Sequence, residues 1–233
     1  MPEDKTYIPS ASHQTQSFTS TDMSAVRILL VMAAFLCATA KAEDGFSIST
    51  IPDSVWGKMQ GRSVPEHSNV RRNDLRYLCI LHIDGNGKER KGEIICHKSI
   101  ADDLIEIFSQ LYKARYAIHQ VRLIDEYDAS DEASMEDNNT SCFCYRTMTG
   151  SRTRISKHGL GLAIDVNPLY NPYVKGNRIE PASARKYAHN RGKRKDIPMK
   201  LDSNDLAVRL FKQHGFRWGG DWKNSKDYQH FEK

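Results

Sequence analysis

Asp84-Gly85-Asn86-Gly87 stands between two β-rich runs, and no other four residues restrict the fold of this chain so strongly. Glycine and asparagine accept the positive φ angles that a tight strand reversal needs, so this tetrapeptide predicts a hairpin turn. Leu75 to Ile83 alternates in front of it, and Gly92 to His97 reads as the returning strand. Ser99 then reads as a helix cap with Asp102 in the first turn. Ile100, Leu104, Ile107, Phe108, Leu111 and Tyr112 follow at helical spacing, which gives the helix one apolar face to bury.

Beyond this unit the pattern loses its regularity. Val121 to Ile124 is a short strand candidate. Asp125 to Asp137 holds seven acidic residues without apolar periodicity and reads as a surface loop. It lacks the Asp and Gly spacing of a calcium-binding loop. Leu160 to Val166 reads as a strand, and Pro181 as the start of a short helix. Leu206, Leu210 and Phe211 mark another helix that stops at Gly215, and Tyr228 to Phe231 a last strand. Strands and helices do not alternate as in a parallel α/β fold. The expectation is a single α+β domain, with a small antiparallel sheet carrying the candidate site and helices packed on one side.

The N-terminal residues read differently. Arg27 precedes an apolar run, Ile28 to Ala40, and Ala40-Lys41-Ala42 offers a small-residue cleavage site. That is the grammar of a secretory signal peptide over residues 23–42, and its apolar core is shorter than the ~20 residues of a membrane span. Residues 1–22, rich in Ser, Thr and Gln, precede Met23, which would itself start a signal of ordinary length. Residues 43–74 read as an irregular lead into the main domain, residues 75–233. Cys79, Cys96, Cys142 and Cys144 lie beyond the leader, where an oxidising compartment permits disulfides. Cys79 and Cys96, on opposite arms of the hairpin, can bridge, but three connectivities stay open. The formal charge of +5 is mild. Its clearest cluster is Arg191, Lys193, Arg194 and Lys195, beside Arg185 and Lys186, read as a solvated loop. Without interleaved aromatics it gives no sign of nucleic-acid binding.

Three segments carry residues suited to chemistry: Ser156 to Asp165, Asp227 to Glu232, and Arg146. In a strand over 160–166, Leu162, Ile164 and Val166 face one side, while Ala163, Asp165 and Asn167 face the other. Asp165 then projects from a rigid element anchored by its opposite face, and His158 at the strand entrance can swing towards the same space. Gly161 and Ala163 leave room above that face. Two donors on one rigid segment and His230 from a distant one match a catalytic zinc centre, which has three protein ligands and an open position. His67, His82, His97, His119, His189 and His214 sit in turn or surface contexts and need no metal.

The patterns S-x-H-x-x-G-x-A-x-D, over Ser156 to Asp165, and D-x-x-H-F-E, over Asp227 to Glu232, resemble the D-alanyl-D-alanine carboxypeptidase family of zinc peptidases, which includes the VanY-type enzymes. Asn138-Asn139-Thr140-Ser141, Tyr145-Arg146, Asp165-Val166-Asn167-Pro168, Asn171-Pro172-Tyr173 and Trp218-Gly219-Gly220-Asp221-Trp222 extend the resemblance from about residue 70 onward. It implies one zinc ion on His158, Asp165 and His230, Asp227 as general base, and Arg146 as the group that binds the substrate carbonyl. Ser156 would lie near the bound peptide. Trp218 and Trp222 are each as suited to a core as to a substrate platform, and Gly219-Gly220 gives backbone access to a ligand beside Trp218.

The implied substrate is a peptidoglycan stem peptide containing D-amino acids, trimmed by removal of terminal D-alanine. Two rivals share the ligands: a wall endopeptidase of the L-alanyl-D-glutamate type, and a non-catalytic zinc-bound module like the hedgehog signalling domain. The presence of Asp227 and Arg146 counts against the second. The basic cluster then has a sharper reading as a steering patch for an anionic wall polymer. One geometric conflict is visible in advance. A regular strand over 227–232 would place Asp227 and His230 on opposite faces. Asp227 is therefore expected outside regular pairing at a loop-to-strand junction, with Tyr228 to Phe231 as the strand.

Overall fold

The computed structural model describes residues 45–148, 151 and 153–233. The leader at 23–42 and residues 1–22 lie outside them. The chain begins with a three-residue strand, β1 (Ser47–Ser49), and a helix, α1 (Asp53–Met59). The hairpin follows as β2 (Leu75–Ile83) and β3 (Glu89–His97), paired in register from Leu75↔His97 to Ile83↔Glu89. Asp84 closes the turn: its Oδ1 accepts the N–H groups of Asn86 and Lys88, each at 2.9 Å, and Gly87 adopts a φ of +75°. β1 adds antiparallel to the outer edge of β2.

Helix α2 (Ala101–Lys113) buries Ala101, Leu104, Ile107, Phe108 and Leu111. Those positions recur every three or four residues, so a single stripe faces the sheet. Ser99 is not its cap. It lies in a 3-10 turn, Lys98–Ile100, that precedes the helix, where its N–H is accepted by the His97 side chain at 3.2 Å. Burying one large apolar side chain is worth roughly 1.5–3 kcal/mol, so this stripe anchors the main core. Ile80, Ile94, Ile164, Val166, Phe211 and Phe231 belong to the same core.

The acidic stretch is not a loop. A parallel two-stranded contact joins β4 (Gln120–Val121) to β5 (Asn139–Thr140). Between them lie a 3-10 turn, Ile124–Tyr127, and helix α3 (Asp131–Glu136), in which Ser130 Oγ accepts the N–H of Ala133 as a cap. Asp125 turns inward and accepts hydrogen bonds from Ser63 Oγ at 2.8 Å and Ser63 N at 3.3 Å. Negative side chains in the first turn of a short helix favour it through the helix dipole, which is how so acidic a run folds. Residues 43–74, expected to be irregular, supply β1, α1 and a second small core of Ile51, Met59 and Val64 with Leu75, Ile95 and Phe143.

The remaining strands are short: β6 (Ala163–Asp165), β7 (Tyr173–Lys175) and β8 (Arg178–Glu180). Helix α4 (Leu206–Gln213) follows, capped by Asp205 at Ala207 N, and then β9 (Arg217–Trp218), β10 (Lys226–Asp227) and β11 (His230–Glu232). β11 is central in an antiparallel sheet, β6-β11-β9, and β10-β7-β8 form another. Pro181 opens a 3-10 turn, Ala182–Tyr187. The architecture is α+β, with the candidate residues on a small antiparallel sheet. Phe231, on the opposite face of that sheet, stacks on Phe211 of α4 with centroids 4.1 Å apart.

Two expectations change here. Arg191 is not solvated: its guanidinium donates to the carbonyls of Tyr170, Tyr187 and Leu201 and to Asn171 Oδ1, and it is only 6% exposed. Cys79 and Cys96 are not opposite one another, because Cys79 pairs with Glu93 and Cys96 with Arg76. A three-residue offset along a strand is ~10 Å, beyond disulfide reach. Cys79, Cys96, Cys142 and Cys144 are all free thiols.

Candidate metal centre

His158, Asp165 and His230 converge. Each offers one donor atom, and these atoms lie within 4.8 Å of one another; among the described residues no other group of His, Cys, Asp and Glu does so. Strand register explains the meeting of two of them, since His230 of β11 lies directly opposite Asp165 of β6. His158 arrives on a 3-10 turn, His158–Leu160, whose Gly159 N–H is accepted by Ser156 Oγ at 3.0 Å. Gly161 then takes a φ of +68°, and a side chain there would come within 2.7 Å of His97 N. Its role is to let the end of β3 approach, and it leaves no space for a ligand.

The donor geometry suits a small cation. His158 Nε2 lies 3.1 Å from His230 Nδ1 and 3.2 Å from Asp165 Oδ2, and His230 Nδ1 lies 3.0 Å from Asp165 Oδ1. Ligands at ~2.0–2.1 Å in a tetrahedron are ~3.3 Å apart, so little movement separates this arrangement from coordination. His158 Nδ1 is engaged by the Cys142 carbonyl at 2.7 Å, which leaves Nε2 with its lone pair towards the cluster. His230 Nε2 faces the Glu232 carboxylate at 3.5 Å.

Electrostatics point the same way. Burial works to raise the pKa of Asp165, but the two imidazoles outweigh it and hold the carboxyl far below the usual range. Burial works against a charge on His230, yet Asp165, Glu232 and Asp227 carry it up to about 10. The centre of the cluster therefore favours positive charge, which a divalent ion supplies without requiring a proton.

The cluster opens into a cleft of about 720 Å³. Arg146, Ser156, Asp227 and Trp222 line it, and the Trp222 ring stands 5.5 Å from that of His230. Arg146 is joined to Asp131 of α3 at 3.1 Å, so the stretch expected to be a surface loop forms a wall of the site. Burial disfavours the Arg146 charge, but Asp131 and Asp165 more than compensate and raise its pKa. Asp227 is pushed up to about 7 by burial, with His230 drawing it down and Asp165 pushing it further up.

Asp227 is not outside regular pairing. It pairs with Tyr173 in β10, whereas His230 begins β11 of a different sheet. Tyr228 and Gln229 between them belong to neither strand, and this change of sheet removes the alternation conflict. Trp218 is 4% exposed and packs in the core, where its Nε1 donates to Tyr228 O at 2.9 Å. Gly219 is also absent from the cleft lining. A Cβ there would fall 2.6 Å from Asp227 O, so its part is to let the turn pack against β10. Gln229, which no motif singled out, lines the cleft and is 2% exposed. Its position inside D-x-x-H carries no type preference that sequence alone could read.

A family model described as D-alanyl-D-alanine carboxypeptidase matches residues 149–233. The matched segment holds the whole His158, Asp165 and His230 cluster together with Asp227, and Arg146 lies just outside it. This C-terminal segment thus carries that peptidase family's sequence pattern, in agreement with the resemblance read from the motifs. No solved structure matches the chain.

Proposed function

We propose that this chain is a zinc-dependent peptidase that hydrolyses peptidoglycan stem peptides containing D-amino acids, acting as a D,D-carboxypeptidase. The observation that carries the reading is the His158, Asp165 and His230 cluster at a cleft whose walls hold Asp227 and Arg146. Bound there, zinc would polarise the scissile carbonyl and make a water nucleophilic at neutral pH.

The side chains supply the rest. Asp227, with a pKa near neutrality, is suited to take a proton from the attacking water and to return it to the leaving amine. Arg146, oriented by Asp131, offers N–H donors to the oxygen on which negative charge develops, an effect worth ~3–4 kcal/mol per donor in acyl-transfer enzymes. Ser156 holds the His158 turn and also faces the cleft. Arg154 and Lys157 would meet a free terminal carboxylate, in a lining that also holds Glu132, Glu180 and Glu232. An endopeptidase needs no such cations. Export by the residues 23–42 leader would bring the enzyme to its polymer, in the periplasm or outside the cell. Among the described residues no helix is long and apolar enough to cross a membrane.

Digestion of purified muropeptides, followed by mass spectrometry, tests the reading. Release of single alanine is expected, and chelation should abolish it. Cleavage within the stem would reassign the enzyme to the endopeptidase class. Asp227→Asn should lower turnover by ~10²–10⁴ with zinc content unchanged. Loss of zinc from that variant would make Asp227 a ligand instead.

A further inference from the structure

Among the described residues, five buried side-chain nitrogen or oxygen atoms have no hydrogen-bond partner, and three of them belong to the cleft: Arg146 Nε, Asp227 Oδ1 and Gln229 Oε1. Leaving such an atom unpaired costs on the order of 1–3 kcal/mol, so native proteins rarely tolerate it without a use. The first two have roles in the hydrolysis proposed above. The third has none.

Gln229 lies in the two-residue joint between β10 and β11. Its backbone is fixed, because its carbonyl accepts Val166 N at 3.0 Å. It is almost wholly enclosed, yet it lines the cleft between the general-base candidate Asp227 and the ligand His230. Its side chain hydrogen-bonds the Asp227 carboxylate, which a leucine or methionine of the same volume could not do. A carboxamide both accepts and donates in one plane, as a peptide group does, so with its N–H side on Asp227 the acceptor Oε1 is left for another partner.

We propose that Gln229 is a substrate-binding residue whose Oε1 accepts a main-chain N–H of the peptide lying in the cleft. The inference rests on the peptidase reading and adds to it a contact with substrate backbone beside the metal cluster. A backbone contact is indifferent to side-chain identity. It would set the direction and depth of the peptide, leaving residue preference to the cleft walls.

Gln229→Met in the full zinc-loaded chain tests this. KM for a muropeptide pentapeptide should rise roughly 10-fold, the size of one hydrogen bond lost to a buried partner, with zinc content unchanged. The kcat, compared on its high-pH plateau where Asp227 is ionised in both proteins, should be nearly unchanged. Thermal stability should hold or increase, because the stranded acceptor is gone; a structural role would show the opposite. Pentapeptides N-methylated at one amide at a time locate the contact. One of them should lose affinity for the wild type and lose nothing further with Gln229→Met. An unchanged KM, or a lowered melting temperature with kcat reduced in parallel, overturns the inference while leaving the peptidase reading in place. Failure of the wild type to cut any wall peptide would overturn both.

Discussion

Between residues 75 and 113 the fold is carried by two nine-residue strands and a thirteen-residue helix. Between 158 and 232 no strand exceeds three residues. The first region is held by apolar faces of regular elements. The second is held largely by side chains that bond backbone, of which Asn171 is the clearest case. Its Nδ2 donates to the carbonyls of Asn167 and Met199, each at 3.0 Å, and its Oδ1 accepts from Leu201 N and Arg191. A region that must present two imidazoles, two carboxylates and a carboxamide to one space cannot give all its positions to a repeating pattern. It trades periodic burial for individually placed polar groups.

If that division is real, mutations should separate cleanly between the regions. His158→Ala should cause the largest functional loss: zinc content near zero and turnover down at least ~10³-fold, with the circular-dichroism spectrum retained. Phe108→Ala, in the fully buried stripe of α2, should do the reverse. It should cost ~3–5 kcal/mol in denaturant unfolding while kcat stays close to wild type under folding conditions. A stability loss from His158→Ala as large as that from Phe108→Ala, both in zinc-free protein, would erase the distinction.

Asn171→Ala should come next, at ~2–4 kcal/mol, because four bonds to buried partners disappear together. It sharpens the comparison if kcat falls as well, since the loop it staples supports Tyr173, the partner of Asp227 in β10. Unaltered unfolding free energy would show that the second region is held by something else. The smallest effect belongs to the hairpin turn. The backbone N–H of Lys88 and the Arg90 guanidinium beside Asp84 bring its carboxyl down to about 2. A folded-state pKa below the unfolded ~3.9 contributes stability above that value, which is lost as pH falls towards 2. Asp84→Asn should therefore lower stability at neutrality and flatten the acid limb between pH ~4 and ~2, so that its difference from the wild type closes as pH falls. A variant curve parallel to the wild type through that window would remove Asp84 from the account.

The same division decides what the sequence could reveal. The hairpin and the stripe of α2 were readable because periodicity and turn chemistry repeat over many residues. His158, Asp165 and His230 were readable as candidates because two of them share one short segment with an anchored opposite face. The edges of the site were not. Asp131 looked like one charge in a solvated acidic run, and only the fold of α3 against Arg146 turns it into a wall. Trp218 and Trp222 looked equivalent, but the sheet sends the first into the core and the second to the cleft. A single regular strand over 227–232 conflicts with a shared site, and nothing in the sequence of that segment marks a chain that passes between two sheets. Arg191 was read by its charge, although four acceptors enclose it.

The antiparallel pairing of β6 with β11 has one more consequence. Asp165 and His230 face one another across that ladder although 65 residues separate them along the chain. A cation shared between them would act as a reversible cross-link closing a long excursion, and such closure removes more freedom from the unfolded chain than a short one would. The metal would then be a folding ligand as well as a reagent: it selects the assembled state by mass action, by ~2.7 kcal/mol at a hundredfold excess over its dissociation constant. Scarcity of zinc would thin the population of folded molecules before it slowed any of them.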